Sequence, residues 1–288
     1  MSVLIFGIIL LTSFTGDRPA YRLFNATGQP ADYDQMLTEL TQADVVLFGE
    51  QHNDALAHWL ELQVTKDLAR LKPGKLVLGM EMFERDVQPL VAQYTAGTLA
   101  DSALERQARP WPNYATDYHP LLQFARENKV PVIGTNAPRP FVSAVARGSL
   151  KALDKLPAVD RALLAPLPMK VDYELPGYKN MAAMFGGDSK AHGGGAQNII
   201  QAQALRDATM AHFIKTSRQP DQILLHFNGS YHSDHHDGIV AYLRQYAPKL
   251  RVKTLSVVTQ EQLQTLDKEQ VNVADYVVVV PADASKTY

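Results

Sequence analysis

Residues 44–85 read DVVLFGEQHNDALAHWLELQVTKDLARLKPGKLVLGMEMFER, and the succession of signals within them decides the fold. Asp44–Phe48 is a short apolar run with no polar alternation, the pattern of a strand buried on both faces, as in a parallel sheet. Asn53 and Asp54 offer side-chain caps for the helix that follows. Leu56, Leu60, Val64, Leu68 and Leu71 then recur at spacings of four and three, a single apolar stripe, before Lys72-Pro73-Gly74 ends the helix. A second run, Lys75–Met80, completes a strand–helix–strand unit.

The alternation continues outward. Further strands are expected at Val130–Gly134, Gln222–Phe227, Arg251–Val257 and Tyr276–Val280. Helices are expected at Asp86–Tyr94, Leu121–Asn128, Pro140–Arg147, Val159–Leu164, Ile199–Lys215 and Gly238–Gln245. The fold class is therefore α/β: a mostly parallel sheet with helices on both faces. Pro166–Gln197 breaks the pattern with Pro, two Gly clusters, two Tyr, three Met and one His. It is far longer than an ordinary connection of about 4–6 residues and reads as an irregular or helical insertion with a short helix over Tyr178–Phe185. Residues 17–288 read as one domain carrying this insertion. Residues 1–16 form a candidate signal segment whose apolar run Val3–Leu11 has the length of a signal-peptide core, a buried first strand being the alternative.

Composition closes several routes. With 28 basic and 30 acidic side chains and a net charge of −2, the chain has no electrostatic footprint for nucleic acid. It contains no Cys, which excludes disulfides, iron–sulfur clusters, thiolate zinc sites, a cysteine nucleophile and a lipid-bearing lipobox. Any metal must be held by His, carboxylates, Tyr or Met.

In doubly wound sheets, ligands bind beyond the carboxyl ends of the strands. Here those ends carry Gly49-Glu50-Gln51-His52, Glu81-Met82-Phe83-Glu84-Arg85, Asn136-Ala137-Pro138-Arg139 and Asn228-Gly229-Ser230-Tyr231-His232. Two of them share the pattern Gly-x-x-His. Glycine after a strand permits positive φ or close backbone approach, and the two imidazoles so presented, His52 and His232, could hold one metal ion such as Zn or Mn, or act as base and acid. Glu50 and Glu81 supply carboxylates for water activation. His226 reads as a core residue within its strand, and His235 and His236 as further site residues or caps of the next helix. Asp207, on an apolar helix face with Gln203, needs a partner, for which Arg139 and Arg206 are the candidates.

Together with Trp111-Pro112-Asn113-Tyr114, Thr135–Arg139 and Ala202–Ala211, these motifs stand in an order that resembles the ChaN-like haem-binding uptake family. Its superfamily also holds Tiki proteases and erythromycin esterases. The resemblance covers roughly Asp44 to Val258. It implies an α/β fold, haem binding in iron acquisition and an extracytoplasmic location. It also implies that Glu50, His52, Glu81 and His232 match positions that the superfamily's hydrolases use in catalysis.

Two readings follow. In the first, the chain is a non-enzymatic haem-binding protein of iron uptake, working with outer-membrane haem-uptake components and forming a homodimer. Tyr173, Tyr178 and His192 are the candidate iron donors, Met181, Met184 and Phe185 the apolar wall, and Arg139 the cation for the propionates. In the second it is a metal- or His/Glu-dependent hydrolase using Glu50, His52, Glu81 and His232, with Arg139 binding an anionic group. No Gly-x-Ser-x-Gly elbow follows any strand, which argues against Ser/His/Asp hydrolysis.

Overall fold

A computed structural model describes residues 19–184 and 195–288; the candidate signal segment 1–16, Phe185 and His192 lie outside the described residues. Seven strands form one sheet: β1 Arg22–Asn25, β2 Val45–Glu50, β3 Leu76–Glu84, β4 Val132–Asn136, β5 Ile223–Gly229, β6 Val252–Gln260 and β7 Tyr276–Pro281. Their order is β1-β7-β6-β2-β5-β3-β4. Every pairing is parallel except that of β1 with β7. The mostly parallel α/β architecture expected from the alternation is thus present, with one antiparallel edge.

The helices are α1 Tyr33–Leu40, α2 Ala55–Leu71, α3 Gln88–Thr95, α4 Asp101–Gln107, α5 His119–Asn128, α6 Arg139–Gly148, α7 Ala158–Arg161, α8 Pro176–Met184, α9 Gly195–Ser217 and α10 Ile239–Tyr246. Side chains alternate across a strand, and this sorts the core into two layers. Val46 and Phe48 of β2, with Leu78, Met80, Leu225 and Phe227, pack against α1 to α5. Val45 and Leu47, with Val77 and Leu224, face α8, α9 and α10. A one-residue slip of β2 would exchange these two sets between layers. Because fully burying each such side chain contributes roughly 1.5–3 kcal/mol, packing fixes the register and with it the height at which Glu50 ends the strand.

Several elements depart from the expected ones. β3 continues through Glu84 instead of ending at Met80, with a register shift against β4 between Met80 and Glu84, so Glu81 projects from within a strand. β1 and α4 carry too few apolar residues to announce themselves, and α1 is an addition to the expected helices although Met36, Leu37 and Leu40 form a buried stripe on it. Their order comes from partners: β1 pairs with β7, and the Asp32 carboxylate accepts from Gln35 N to cap α1. The stretch expected as a helix over Val159–Leu164 is only the four-residue α7. Within the insertion, α8 forms and Tyr178 turns into the core. No helix among the described residues is long and apolar enough to cross a membrane.

Candidate functional site

The strand order sets β2, β5, β3 and β4 side by side, so Glu50, Gly229, Glu81 and Asn136 meet on one edge. Two glycines permit the close approach. A Cβ on Gly49 would stand 2.9 Å from Ser230 Cα, and one on Gly229 would stand 2.7 Å from His52 Cε1. Neither glycine has positive φ; space, not backbone freedom, is what the two Gly-x-x-His turns require.

On this edge stand two imidazole–carboxylate units. In the first, Glu50 Oε1 lies 2.6 Å from His52 Nδ1 and accepts from the Tyr118 hydroxyl at 2.6 Å. His52 keeps 38% of its side chain exposed, whereas Glu50 is sealed. Burial works against charge on His52, but Glu50 and Glu81 outweigh it and hold its pKa above the ordinary value. In the second, His232 lies between two carboxylates, with Nδ1 2.5 Å from Asp207 Oδ1 and Nε2 3.2 Å from Glu81 Oε1. Glu81 Oε2 also accepts from Gly229 N at 2.8 Å, and Asp207 Oδ2 accepts from the Tyr178 hydroxyl at 2.7 Å. Burial opposes ionisation here too, yet the facing carboxylates raise His232 to about 10. Burial likewise pushes Glu81 upward, but His232, His52 and the Gly229 amide more than offset it and bring its pKa down to about 2. At neutral pH this unit is a buried, ionised pair.

Beneath Glu50 lies a third group that the sequence reading missed. His58 Nδ1 is 3.0 Å from Glu61 Oε2 and 3.4 Å from Glu50 Oε2, and its Nε2 is 3.3 Å from Asp117 Oδ2. Asn113 donates to Asp117 Oδ2 at 2.6 Å and to the His52 carbonyl at 2.8 Å, tying the group to the His52 turn. Burial, then the charge of Glu61, pushes Glu50 up to about 8; burial with the Asp117 charge pushes Glu61 up to about 8. The available signal was the ladder Ala57, Glu61, Thr65 and Leu68 at helical spacing, all of which are buried on α2. The stripe reading favoured Leu56 and Leu71 instead, and Leu71 is exposed.

The open side of the edge is a cleft of about 800 Å³ lined by Glu81, Trp111, Asn136, Arg139 and Arg206 among others. Trp111 meets the His52 ring edge-on, with centroids 4.8 Å apart, so the exposed part of His52 stands beside this cleft.

The structure therefore brings Glu50, His52, Glu81 and His232 together, with Arg139 at the mouth, and corrects other expectations. Asp207 is paired with His232 and Tyr178, not with an arginine; Arg206 donates to Asn136 Oδ1 at 3.1 Å. His52 and His232 share the edge, and His232 directs both ring nitrogens at carboxylates, Nδ1 at Asp207 and Nε2 at Glu81. Tyr178 is 2% exposed, with its hydroxyl committed to Asp207, so it is no open iron donor. Tyr173 is 38% and Met184 76% exposed, and the Tyr173 oxygen accepts from Gln201 at 2.8 Å. His226 is a core residue between Thr135 and Asn228, with burial lowering it to about 4. His236 faces Asp275 and Thr254, and neither it nor His235 caps α10 through its side chain.

Residues 36–243 match the family model described as haem-binding uptake, Tiki superfamily, ChaN. The chain belongs to this family. Among solved structures, the chain is similar to ChaN of Campylobacter jejuni, a protein seen with cofacial haem binding, with 16% identity, TM-score 0.67, and coverage of 90% of this chain and 96% of that one. A Bacillus cereus protein follows with 12% identity, TM-score 0.50, and coverage of 91% and 95%. An erythromycin esterase variant in its open conformation matches with 13% identity, TM-score 0.47, and coverage of 90% and 82%. At these identities the first two likenesses establish the shared fold. No curated protein matches the chain.

Proposed function

We propose that this ChaN family member binds haem as a step in iron acquisition, with Tyr173 as the iron donor. The observation that carries the assignment to Tyr173 is the contrast between the two tyrosines of the segment around α8. Tyr178 is sealed on Asp207, whereas Tyr173 presents an exposed phenol to Gln201, whose amide donates to its oxygen at 2.8 Å. A tyrosine oxygen bound to iron is a hard anionic ligand suited to the ferric state. Met184 adds exposed apolar surface, and Arg139, which makes no ion pair with a described residue, offers a cation for propionates. Export, association with outer-membrane uptake components and a haem-bridged homodimer belong to the same proposal. The test is a hemin titration of the purified chain: a saturable Soret shift with a high-spin charge-transfer band is expected, weakened at least tenfold by Tyr173→Phe. Absence of a saturable shift removes the reading.

A second reading, a His/Glu-dependent hydrolase, is favoured by the half-exposed His52 beside the cleft, backed by Glu50 at 2.6 Å. Glu50 would orient the imidazole, His52 would move a proton at the cleft, and the ionised Glu81–His232 pair would fix the local field. Ester or peptide turnover abolished by His52→Ala, with hemin binding unchanged, distinguishes it from the first.

A further inference from the structure

We propose that Glu50, His58 and Glu61 form a binding site for one divalent first-row transition cation, separate from the pair of Gly-x-x-His imidazoles. One ligand atom from each of these side chains can be chosen so that all three lie within 4.8 Å of one another, and all three residues are buried. Two of the separations are close to what a bound ion demands. A cation about 2.1 Å from each donor, in octahedral or tetrahedral geometry, keeps neighbouring donor atoms about 3.0–3.4 Å apart. His58 Nδ1 stands 3.0 Å from Glu61 Oε2 and 3.4 Å from Glu50 Oε2.

The protonation pattern points the same way. His58 Nε2 faces two acceptors, Asp117 Oδ2 at 3.3 Å and the His52 carbonyl at 3.2 Å, so this nitrogen carries the hydrogen. A cation seated among the three would take the Nδ1 lone pair and replace the proton that otherwise faces the two carboxylates. An imidazole whose outer N–H is held by a carboxylate and a backbone carbonyl is the usual support of a metal-ligating histidine.

The independent observation is that Glu50 Oε2, the oxygen turned toward His58 Nδ1, is buried without a hydrogen-bond partner, as is the second oxygen of Glu61, Oε1. Buried carboxylate oxygens without donors are costly, and a cation among them would supply the missing partner. One imidazole with two carboxylates suits the manganese-to-zinc series. Glu50 would then serve two neighbours, the cation through Oε2 and His52 through Oε1. This inference depends on neither functional reading, because its readout is metal content.

The experiment uses the full chain, stripped of metal by chelator and mixed with Zn²⁺, with stoichiometry and affinity read by calorimetry and elemental analysis. One zinc per chain is expected, retained in His52→Ala and weakened at least 100-fold in Glu61→Gln. No binding by the stripped protein overturns the proposal, as does binding lost in His52→Ala but kept in Glu61→Gln. Should Glu61→Gln fail to fold, anomalous scattering from zinc-soaked crystals of the unaltered chain decides. An ion about 2.0–2.2 Å from a Glu61 oxygen supports the site, and zinc bound only elsewhere overturns it.

Discussion

His52 rests against the bare α-carbon of Gly229: a methyl group there would stand 2.7 Å from the imidazole Cε1 and 2.8 Å from Nε2. The two Gly-x-x-His turns are thus interlocked, the glycine of one making room for the histidine of the other. Gly229→Ala should push the half-exposed ring off Glu50 at modest cost in stability. At Gly49 the nearest atoms are backbone, Ser230 Cα at 2.9 Å and the Leu255 carbonyl at 3.1 Å, and cannot swing aside. Gly49→Ala should therefore cost more, toward the upper end of about 1–3 kcal/mol for overpacking. Urea denaturation compares the two stabilities. In Gly229→Ala, the His52 titration followed by NMR should move down toward its ordinary value.

What could be read in advance follows from the same geometry. Near-continuous apolar strands and the α2 stripe announced a doubly wound sheet, and the rule that ligands gather beyond strand ends brought Glu50, His52, Glu81 and His232 to one edge. The missing parts are those whose order comes from partners distant in sequence. β1 is four residues long and pairs only across an antiparallel edge. His58 and Glu61 sit on the buried face of α2, where hydrophobic periodicity leads one to expect only apolar side chains. An apolar helix face marks Asp207 as needing a partner, but its position suggests an arginine where His232 stands. Charge alone cannot distinguish the two when neighbouring carboxylates make the histidine cationic in spite of its burial.

The Glu81–His232 pair gives stability a definite pH window. Glu81 falls from 4.5 to about 2 on folding, so its contribution is complete above pH 4.5 and is lost as pH falls through 2. His232 rises from 6.5 to about 10, so its contribution is complete below pH 6.5 and is lost as pH rises through 10. His232→Gln should be most destabilising between these limits, near pH 5.5, by roughly 3–5 kcal/mol as expected when one member of a buried ion pair is removed. The deficit should shrink toward pH 10. Chemical denaturation of both proteins across pH 4–10 measures it.

Glu50 and Glu61 act in the opposite sense. Both rise from 4.5 to about 8 on folding, so in chelator-treated protein they favour the folded state fully below pH 4.5, and that advantage disappears as pH rises through 8. The decline should reach several kcal/mol, since each pKa unit is worth about 1.4 kcal/mol. Glu61→Gln replaces an ionising group with a neutral one of similar shape and should flatten the curve between pH 5 and 8. Thermal unfolding in the presence of chelator gives the comparison; an unchanged slope would contradict a buried carboxyl that retains its proton at neutral pH.

Tyr173 and Tyr178 allow ligand binding to be separated from folding, since each bears one phenol in the same segment. Removing the Tyr178 hydroxyl leaves Asp207 Oδ2, buried and previously bonded at 2.7 Å, without that donor; such a loss costs about 1–3 kcal/mol. The deficit should also reach His232, because Asp207 is one of the two carboxylates that raise its pKa. Tyr178→Phe should therefore lower the unfolding midpoint and leave the hemin spectrum unchanged at temperatures where the protein stays folded. Tyr173→Phe removes an exposed oxygen whose structural bond, to Gln201, lies at the surface. It should change stability by less than about 0.5 kcal/mol, as surface substitutions usually do, while weakening hemin binding at least tenfold. If both variants bound hemin as the unaltered chain does, neither tyrosine would be the iron donor. If Tyr178→Phe alone lost binding, the hydroxyl now bonded to Asp207 would have to leave it to reach the iron.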